Sequence, residues 1–193
     1  MNSYAVLRTQ EFRLKEYELH PLQKVDIIRI REWRNAQIDV LRQAHPLTLE
    51  QQKRYYLKEV VPTFKQPRPK QLLFSFLKDD KAIGYGGLTN IEWNHRRAEI
   101  SFLVDTNFLT DEVRYTEAFS TFLTLIKGIA FRELDLNRLF TETYAFRDLH
   151  IRILESAKFV LEGRMRQHVL IREQFYDSLI HGFLRSASNA SSL

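Results

Sequence analysis

A chain of 193 residues, 44% apolar and 12% aromatic, has the size and composition of one globular domain with a substantial core, expected over residues 1–185. It contains no cysteine, which excludes a disulfide framework, a thiol nucleophile and any Cys-ligated zinc or iron–sulfur site, and suits a cytoplasmic protein. The formal charge of +5 favours an anionic partner, but the basic residues are scattered, with Lys65, Arg68 and Lys70 the densest group, so phosphate-binding clefts are expected rather than a nucleic-acid arm.

Charges at Arg8, Glu11, Arg13, Lys15, Glu16, Glu18, Lys24 and Asp26 interrupt the N-terminal stretch, so neither a signal region nor a bilayer span is expected there. Phe12 to Leu19 alternates apolar and charged residues and predicts an opening strand closed by Pro21. Lys24 to Asn35 has helical spacing, with Asp26 placed favourably in the first turn. His45-Pro46-Leu47 is a break. Thr48 and Gln51 then form a capping box that starts a second helix running to about Val60. Pro62, Pro67 and Pro69 predict an extended surface connection from Val61 to Lys70.

Leu72 to Leu77, Ala82 to Trp93 and Arg97 to Asp105 read as three antiparallel strands, and the Gly84-Tyr85-Gly86-Gly87 run inside the second reads as a bulge, not a phosphate loop. In the third, Ala98, Ile100, Phe102 and Val104 share a face opposite Glu99, Ser101 and Leu103. Thr116 to Leu134 carries Ala118, Phe119, Phe122, Leu125, Ile126 and Ile129 at amphipathic spacing and predicts a long crossover helix. Arg138 to Phe146 is again a strand, with Leu139, Thr141 and Thr143 opposite Phe140, Glu142 and Tyr144. A short helix from Asp148 to Lys158-Phe159 follows. Gly163 is expected to interrupt the chain before a closing hairpin of Gln167 to Arg172 and Phe175 to Leu184, and residues 186–193 read as a disordered polar tail. The sum is an α/β (α+β) chain with a mixed, mainly antiparallel sheet of about six to seven strands and helices on both faces.

The order LNRLFTETYAF, IRILE, FVLEGRMRQHV, FYDSLIHGFLR resembles the C-terminal half of the GNAT-family N-acetyltransferases. The resemblance is closest to the branch that holds the ribosomal-protein alanine acetyltransferases and the nucleotide-amino-sugar acetyltransferases. It implies a GNAT fold, acetyl-CoA as donor substrate bound where two strands splay, and direct attack on the thioester by a small-molecule amine, such as a nucleotide-linked amino sugar. A protein N-terminus is the second acceptor class. A binding or scaffold protein that has lost CoA is the rival from outside the enzymes, and a homodimer is an open assembly. No membrane partner is expected.

The same resemblance distributes roles. The backbone of Phe102, Leu103 and Val104 would pair with pantetheine, while Arg114, Tyr115 and Arg147 would hold the rest of the donor. Glu99 would relay the amine proton, its structural alternative being a cross-strand ion pair with Arg96, Arg97 or Lys81. Glu142 is a second acid candidate on the acceptor side, and Tyr144 a donor to the leaving thiolate. Trp33, Arg34 and Asn35 resemble the W-R-N segment beside the acceptor pocket, the alternative for Trp33 being a place in the core.

The departures from the family pattern are specific. Val113-Arg114-Tyr115 stands where Gly-x-Gly opens helix amides to pyrophosphate, and free amides are expected in the loop from Thr106 to Arg114. Arg147 replaces a strand-end Asn, Lys158 a Gly, and Leu154 the Tyr that would protonate the thiolate. Tyr144, a water or His150 would then have to do so. His20, His45, His95, His150, His168 and His181 lack metal-ligand spacing, so no metal is expected.

Overall fold

The structure, a computed structural model, describes residues 2–189. The alternation from Phe12 to Pro21 yields two strands rather than one, β1 (Phe12–Leu14) and β2 (Tyr17–Pro21), because Lys15 turns the chain with φ 55°. The second hairpin, β3 (Leu72–Lys78) and β4 (Lys81–Glu92), turns at Asp79 and Asp80, both at positive φ, the conformation that matches the twist of paired strands. β5 (Arg97–Val104) continues the antiparallel run. A register shift leaves Ile83 unpaired, so the bulge falls one residue before the glycine run. The glycines themselves are needed for close packing: a Cβ at Gly86 would lie 2.2 Å from the Ser101 carbonyl oxygen and 2.8 Å from the Phe122 ring.

One eight-stranded sheet results, in the order β1-β2-β3-β4-β5-β6-β8-β7. β6 (Arg138–Tyr144) lies parallel to β5, the one parallel pairing among the described residues, and β8 (Gln174–Leu184) runs antiparallel between β6 and β7 (Val160–Ile171). Gly163 does not interrupt the chain as expected. It sits within β7, where Glu162 bulges out of register, and β7 begins at Val160, shortly after the preceding helix ends at Ser156.

Helices α1 (Ile27–Ala36) and α2 (Leu49–Tyr55) cover one face, α2 starting at the expected capping box: Gln51 N donates to Thr48 Oγ1 at 3.1 Å and Thr48 N donates back at 2.8 Å. The helical path then continues through a wide π turn, Tyr56–Val60, and a 3-10 turn, Val61–Lys65. The extended connection predicted from Val61 thus starts only after Lys65, since Pro62 enters at the first turn of a new helical segment, where no N–H is required.

The other face carries α3 (Glu112–Gly128) and α4 (Asp148–Ser156). α3 begins four residues before the predicted start because Asp111 caps it, and it runs on through a π turn at Ile129–Glu133. Its Phe119 stacks on Phe102 of β5 with centroids 4.6 Å apart, and Phe122 meets Phe76 and Phe102. Each fully buried side chain of this size stabilises the fold by about 1.5–3 kcal/mol, so these rings clamp α3 against β5. α5 (Arg185–Asn189) is a short helical end where a structureless tail was expected; residues 190–193 of that expectation lie outside the described residues. Among the described residues, no helix is long and apolar enough to cross a membrane.

Candidate functional site

β5 and β6 pair only at Arg97 with Arg138, Ala98 with Leu139 and Glu99 with Phe140. Beyond Glu99 the two strands part, β6 staying with β8 as far as Tyr144 and β5 staying with β4 as far as Val104. The parting leaves one edge of β5 without a strand partner, and backbone groups without partners inside a protein demand one. A cavity of ≈ 210 Å³ opens there, walled by Ile100, Ser101 and Phe102 from β5, Thr141, Glu142 and Tyr144 from β6, Arg147 at the N-cap of α4, and His150 and Leu154 from α4. A second cavity, ≈ 300 Å³, lies between α1, α2 and the sheet, and shares Arg34, Thr89 and Ser101 with the first.

The floor of the wedge is acidic and already paired. Glu99, 7% exposed, accepts from Arg42 Nη2 at 2.7 Å and Nη1 at 3.3 Å, and from Asn90 Nδ2 at 2.6 Å. The same Arg42 Nη2 reaches Glu142 at 2.6 Å, and His168 Nε2 lies 3.6 Å from the other Glu142 oxygen. Burial opposes the Arg42 charge, yet the hydrogen bond and charge of Glu99, joined by Glu142, outweigh it and hold the guanidinium more firmly protonated. The expected cross-strand partners of Glu99 are not its partners: Arg96, for one, is engaged by Asp135 at 2.8 Å. Arg42 was missed because it stands 57 residues from Glu99 and 100 from Glu142, in the loop before α2.

Of the acceptor-side candidates, Glu142 lines the first cavity, and of the Trp33-Arg34-Asn35 segment Arg34 alone lines the cavities, donating from Nη1 to the Tyr85 hydroxyl at 2.7 Å and from Nε to Gln43 at 2.9 Å. Trp33 packs in the core and walls neither cavity. Asn35 spends its amide on Leu47 and Gln43, at 2.8–3.1 Å, and so fastens the loop that carries Arg42. A segment expected to touch the acceptor therefore divides into one lining residue and two that support it.

The donor-side candidates divide similarly. Phe102 lines the wedge but commits its ring to Phe119. Leu103 is buried away from the cavity, and the Val104 carbonyl accepts from Gln37 Nε2 at 2.8 Å, which shortens the run of free backbone at that end. Arg114 lies over the Phe108 ring, 4.5 Å from its centroid, and walls neither cavity. The amides expected free at the start of α3 are taken: Val113 N and Arg114 N both donate to Asp111 Oδ1 at 3.0 Å.

Tyr115 is buried against α4, its hydroxyl 2.7 Å from His150 Nδ1, and Arg147 Nη2 approaches both at 3.3 and 3.4 Å. Arg147 can only donate, so Nδ1 accepts and the imidazole proton sits on Nε2. Burial, with the Arg147 charge and His181 adding to it, holds His150 well below the usual histidine range, and it is neutral near pH 7. Burial likewise raises Tyr115, against the opposing charge of Arg147. Tyr144 is raised first by burial and then by the Glu142 charge, so it keeps its proton at the wedge wall. Leu154 is fully buried on that wall and offers no proton, and the two candidates to replace it, Tyr144 and His150, both line the same cavity. Arg147 and His150 also line a shallow cleft between the starts of α3 and α4, together with Arg152. No group of three or more acidic or histidine side chains among the described residues is placed to hold a metal ion.

A search of curated proteins returns no match. Among solved structures, the dodecameric spermidine N-acetyltransferase from Vibrio cholerae superposes with a TM-score of 0.78 at 17% identity, covering 93% of this chain and 100% of that one. A complex of a Vibrio cholerae spermidine N-acetyltransferase with CoA and spermine gives 0.76 at 16% identity, over 90% of this chain and 98% of that one. These likenesses establish a shared fold. The model of the acetyltransferase (GNAT) domain matches residues 19–180, and with most of the sequence inside that match the chain belongs to the GNAT acetyltransferase family.

Proposed function

We propose that this chain is an acetyl-CoA-dependent N-acetyltransferase acting on a primary amine. The observation that carries this reading is the parting of β5 from β6 after Glu99, which sets an unpaired strand edge and two carboxylates around one cavity with a second cavity beside it. Acetyl-CoA supplies the thioester acyl group. The free edge of β5 past Glu99 suits the amide-bearing arm of that substrate, and Arg147 and Arg152 in the cleft between α3 and α4 suit its phosphates. The Asp111-capped start of α3 does not suit them, because its carboxylate already occupies the amides.

Glu99 and Glu142 present anionic oxygens that attract and orient an ammonium and take its proton, with Arg42 fixing both carboxylates. Tyr144 and the Nε2–H of neutral His150 supply hydrogen-bond donors where sulfur charge would develop. Of the finer acceptors implied by the sequence resemblance, a nucleotide-linked amino sugar would need phosphate ligands on the acceptor side. There Arg34 is the one cationic side chain among the described lining residues. An N-terminal peptide would need an open mouth past Tyr55, which is 42% exposed at the rim.

Calorimetric titration with acetyl-CoA tests the reading. Micromolar binding by the native protein, weakened in Arg147→Ala, supports it. No heat and no thermal stabilisation at millimolar acetyl-CoA overturns it in favour of a scaffold that has lost the donor.

A further inference from the structure

We propose that the acceptor is a monoamine with an apolar or aromatic body, and that Arg42 is the residue that keeps polyamines out. The inference rests on the acetyltransferase reading above and names the substrate class of that same site. It starts from charge. Glu99 and Glu142 reach the wedge from the two parting strands, and one guanidinium bridges them at 2.7 and 2.6 Å. Within this triad two carboxylates and one cation leave a single negative charge, the complement of a single ammonium. The other two cations on the wedge wall are engaged elsewhere, Arg34 by Tyr85 and Gln43 and Arg147 by Tyr115 and His150.

The adjoining cavity continues the argument. Its walls are the buried Leu22, Ile30, Leu73 and Tyr85, with Leu47 and Tyr55 nearer the opening, and no carboxylate lines it among the described residues. The one charge there is Arg34, held by Tyr85 and Gln43 so that it cannot swing aside without losing both hydrogen bonds. An acceptor with its amine at the wedge lays its body in this cavity. An apolar body is stabilised by leaving water, whereas a second ammonium would meet Arg34 with no counter-charge, and burying an unpaired charge beside a like one is strongly unfavourable.

Arg42 is placed to enforce this choice rather than to drift. Its loop is fastened at one end by Asn35, through both the N–H and C=O of Leu47, and Asp39 is paired with Arg172 of the β7–β8 turn at 2.5 Å. The guanidinium therefore stays where the second cation of a polyamine would otherwise find a carboxylate.

The test compares initial rates with saturating acetyl-CoA on 2-phenylethylamine and on spermidine, in the native protein and in Arg42→Met, which removes the charge while keeping an unbranched stem. The native enzyme is expected to favour 2-phenylethylamine in kcat/KM by about 100-fold, the scale set by an unpaired like-charge contact. In Arg42→Met the ratio should fall at least about tenfold, with spermidine gaining, as the second carboxylate becomes available. Equal or better use of spermidine by the native protein, preference for an amino sugar or a peptide N-terminus, or an unchanged ratio in the variant would each overturn the proposal while leaving N-acetyl transfer intact. The native ratio stands as a test even if Arg42→Met fails to fold. Absence of acetyl-CoA binding by calorimetry overturns this proposal together with the reading beneath it.

Discussion

The wedge between β5 and β6 and the start of α3 are neighbouring parts of one cleft, and they solve the problem of charge in opposite ways. In the wedge, carboxylates from strands that the sequence separates by 43 positions are drawn together and share the guanidinium of Arg42. At α3 the helix supplies its own anion, Asp111, to its own amides. The wedge depends on topology, on where β6 leaves β5. The helix start depends on a few consecutive residues, and with Val113-Arg114-Tyr115 in place of glycines it takes the ordinary capped form.

If the wedge is the chemical half of the cleft, the largest effect belongs to Glu99. Glu99→Gln keeps the shape and leaves Arg42 attached to Glu142, but removes the carboxylate that β5 presents to an amine. The kcat/KM for a primary amine should fall about 10²- to 10⁴-fold, with acetyl-CoA affinity by calorimetry little changed. A loss of donor affinity of the same size would instead make Glu99 a structural strut.

The other half is probed by Arg147. It donates to the Tyr115 hydroxyl and to His150, and it faces both the wedge and the cleft between α3 and α4. Removing a charge-assisted donor of this kind costs about 1.5–3 kcal/mol, so Arg147→Ala should weaken acetyl-CoA binding roughly 10- to 100-fold. If binding is unchanged, the phosphates are held elsewhere and the contrast between the two regions loses its donor half.

A third effect tests the buried layer that joins them. His150 stays neutral in the fold, whereas in the unfolded chain a histidine takes up a proton around its ordinary value of 6.5. Below that value the unfolded state binds more protons, so the folded state loses stability as pH falls from 6.5 and keeps its full stability above it. The loss for this one group amounts to at most about 1.4 kcal/mol per pH unit. Thermal melts between pH 7.5 and 5 should show the slope, and His150→Gln should flatten it; an equal slope in the variant would assign it to other groups.

What the sequence made legible follows the same division. Period-two and helical spacing located the elements from Leu72 to Tyr144, because each buried face there is formed by a continuous run of residues. Turns hidden inside a pattern were not legible: Lys15 carries no turn residue's signature, and Gly163 looks like a break although it sits at a bulge within β7. Glu99, Glu142, Tyr144, Arg34 and Arg147 were legible as lining residues because resemblance fixes strand and helix positions. Arg42 was not, since a loop residue bridging two distant strands has no local period to announce it. Trp33 and Asn35 illustrate the converse, a motif beside a site whose members support the site without touching it.

Asp111 gives the smallest effect and the sharpest reading of the contrast. Its carboxylate satisfies two of the amides that a helix start leaves without partners, and removing such a cap costs about 1 kcal/mol of stability. Asp111→Ala should therefore lower the melting point by a few degrees. The same change deletes a negative charge and frees two N–H groups at the end of a helix, where an anion is favoured. If the donor's phosphates approach this end, the variant should bind acetyl-CoA more tightly in calorimetry while being less stable in the melt, two opposite signs from one substitution. If they rest wholly on Arg147 and Arg152, affinity should not change and only the melting point should fall. A weaker affinity would mean that the capped start of α3 is itself part of the donor site, and that the ordinary-looking helix end is a substitute for the glycine loop rather than its loss.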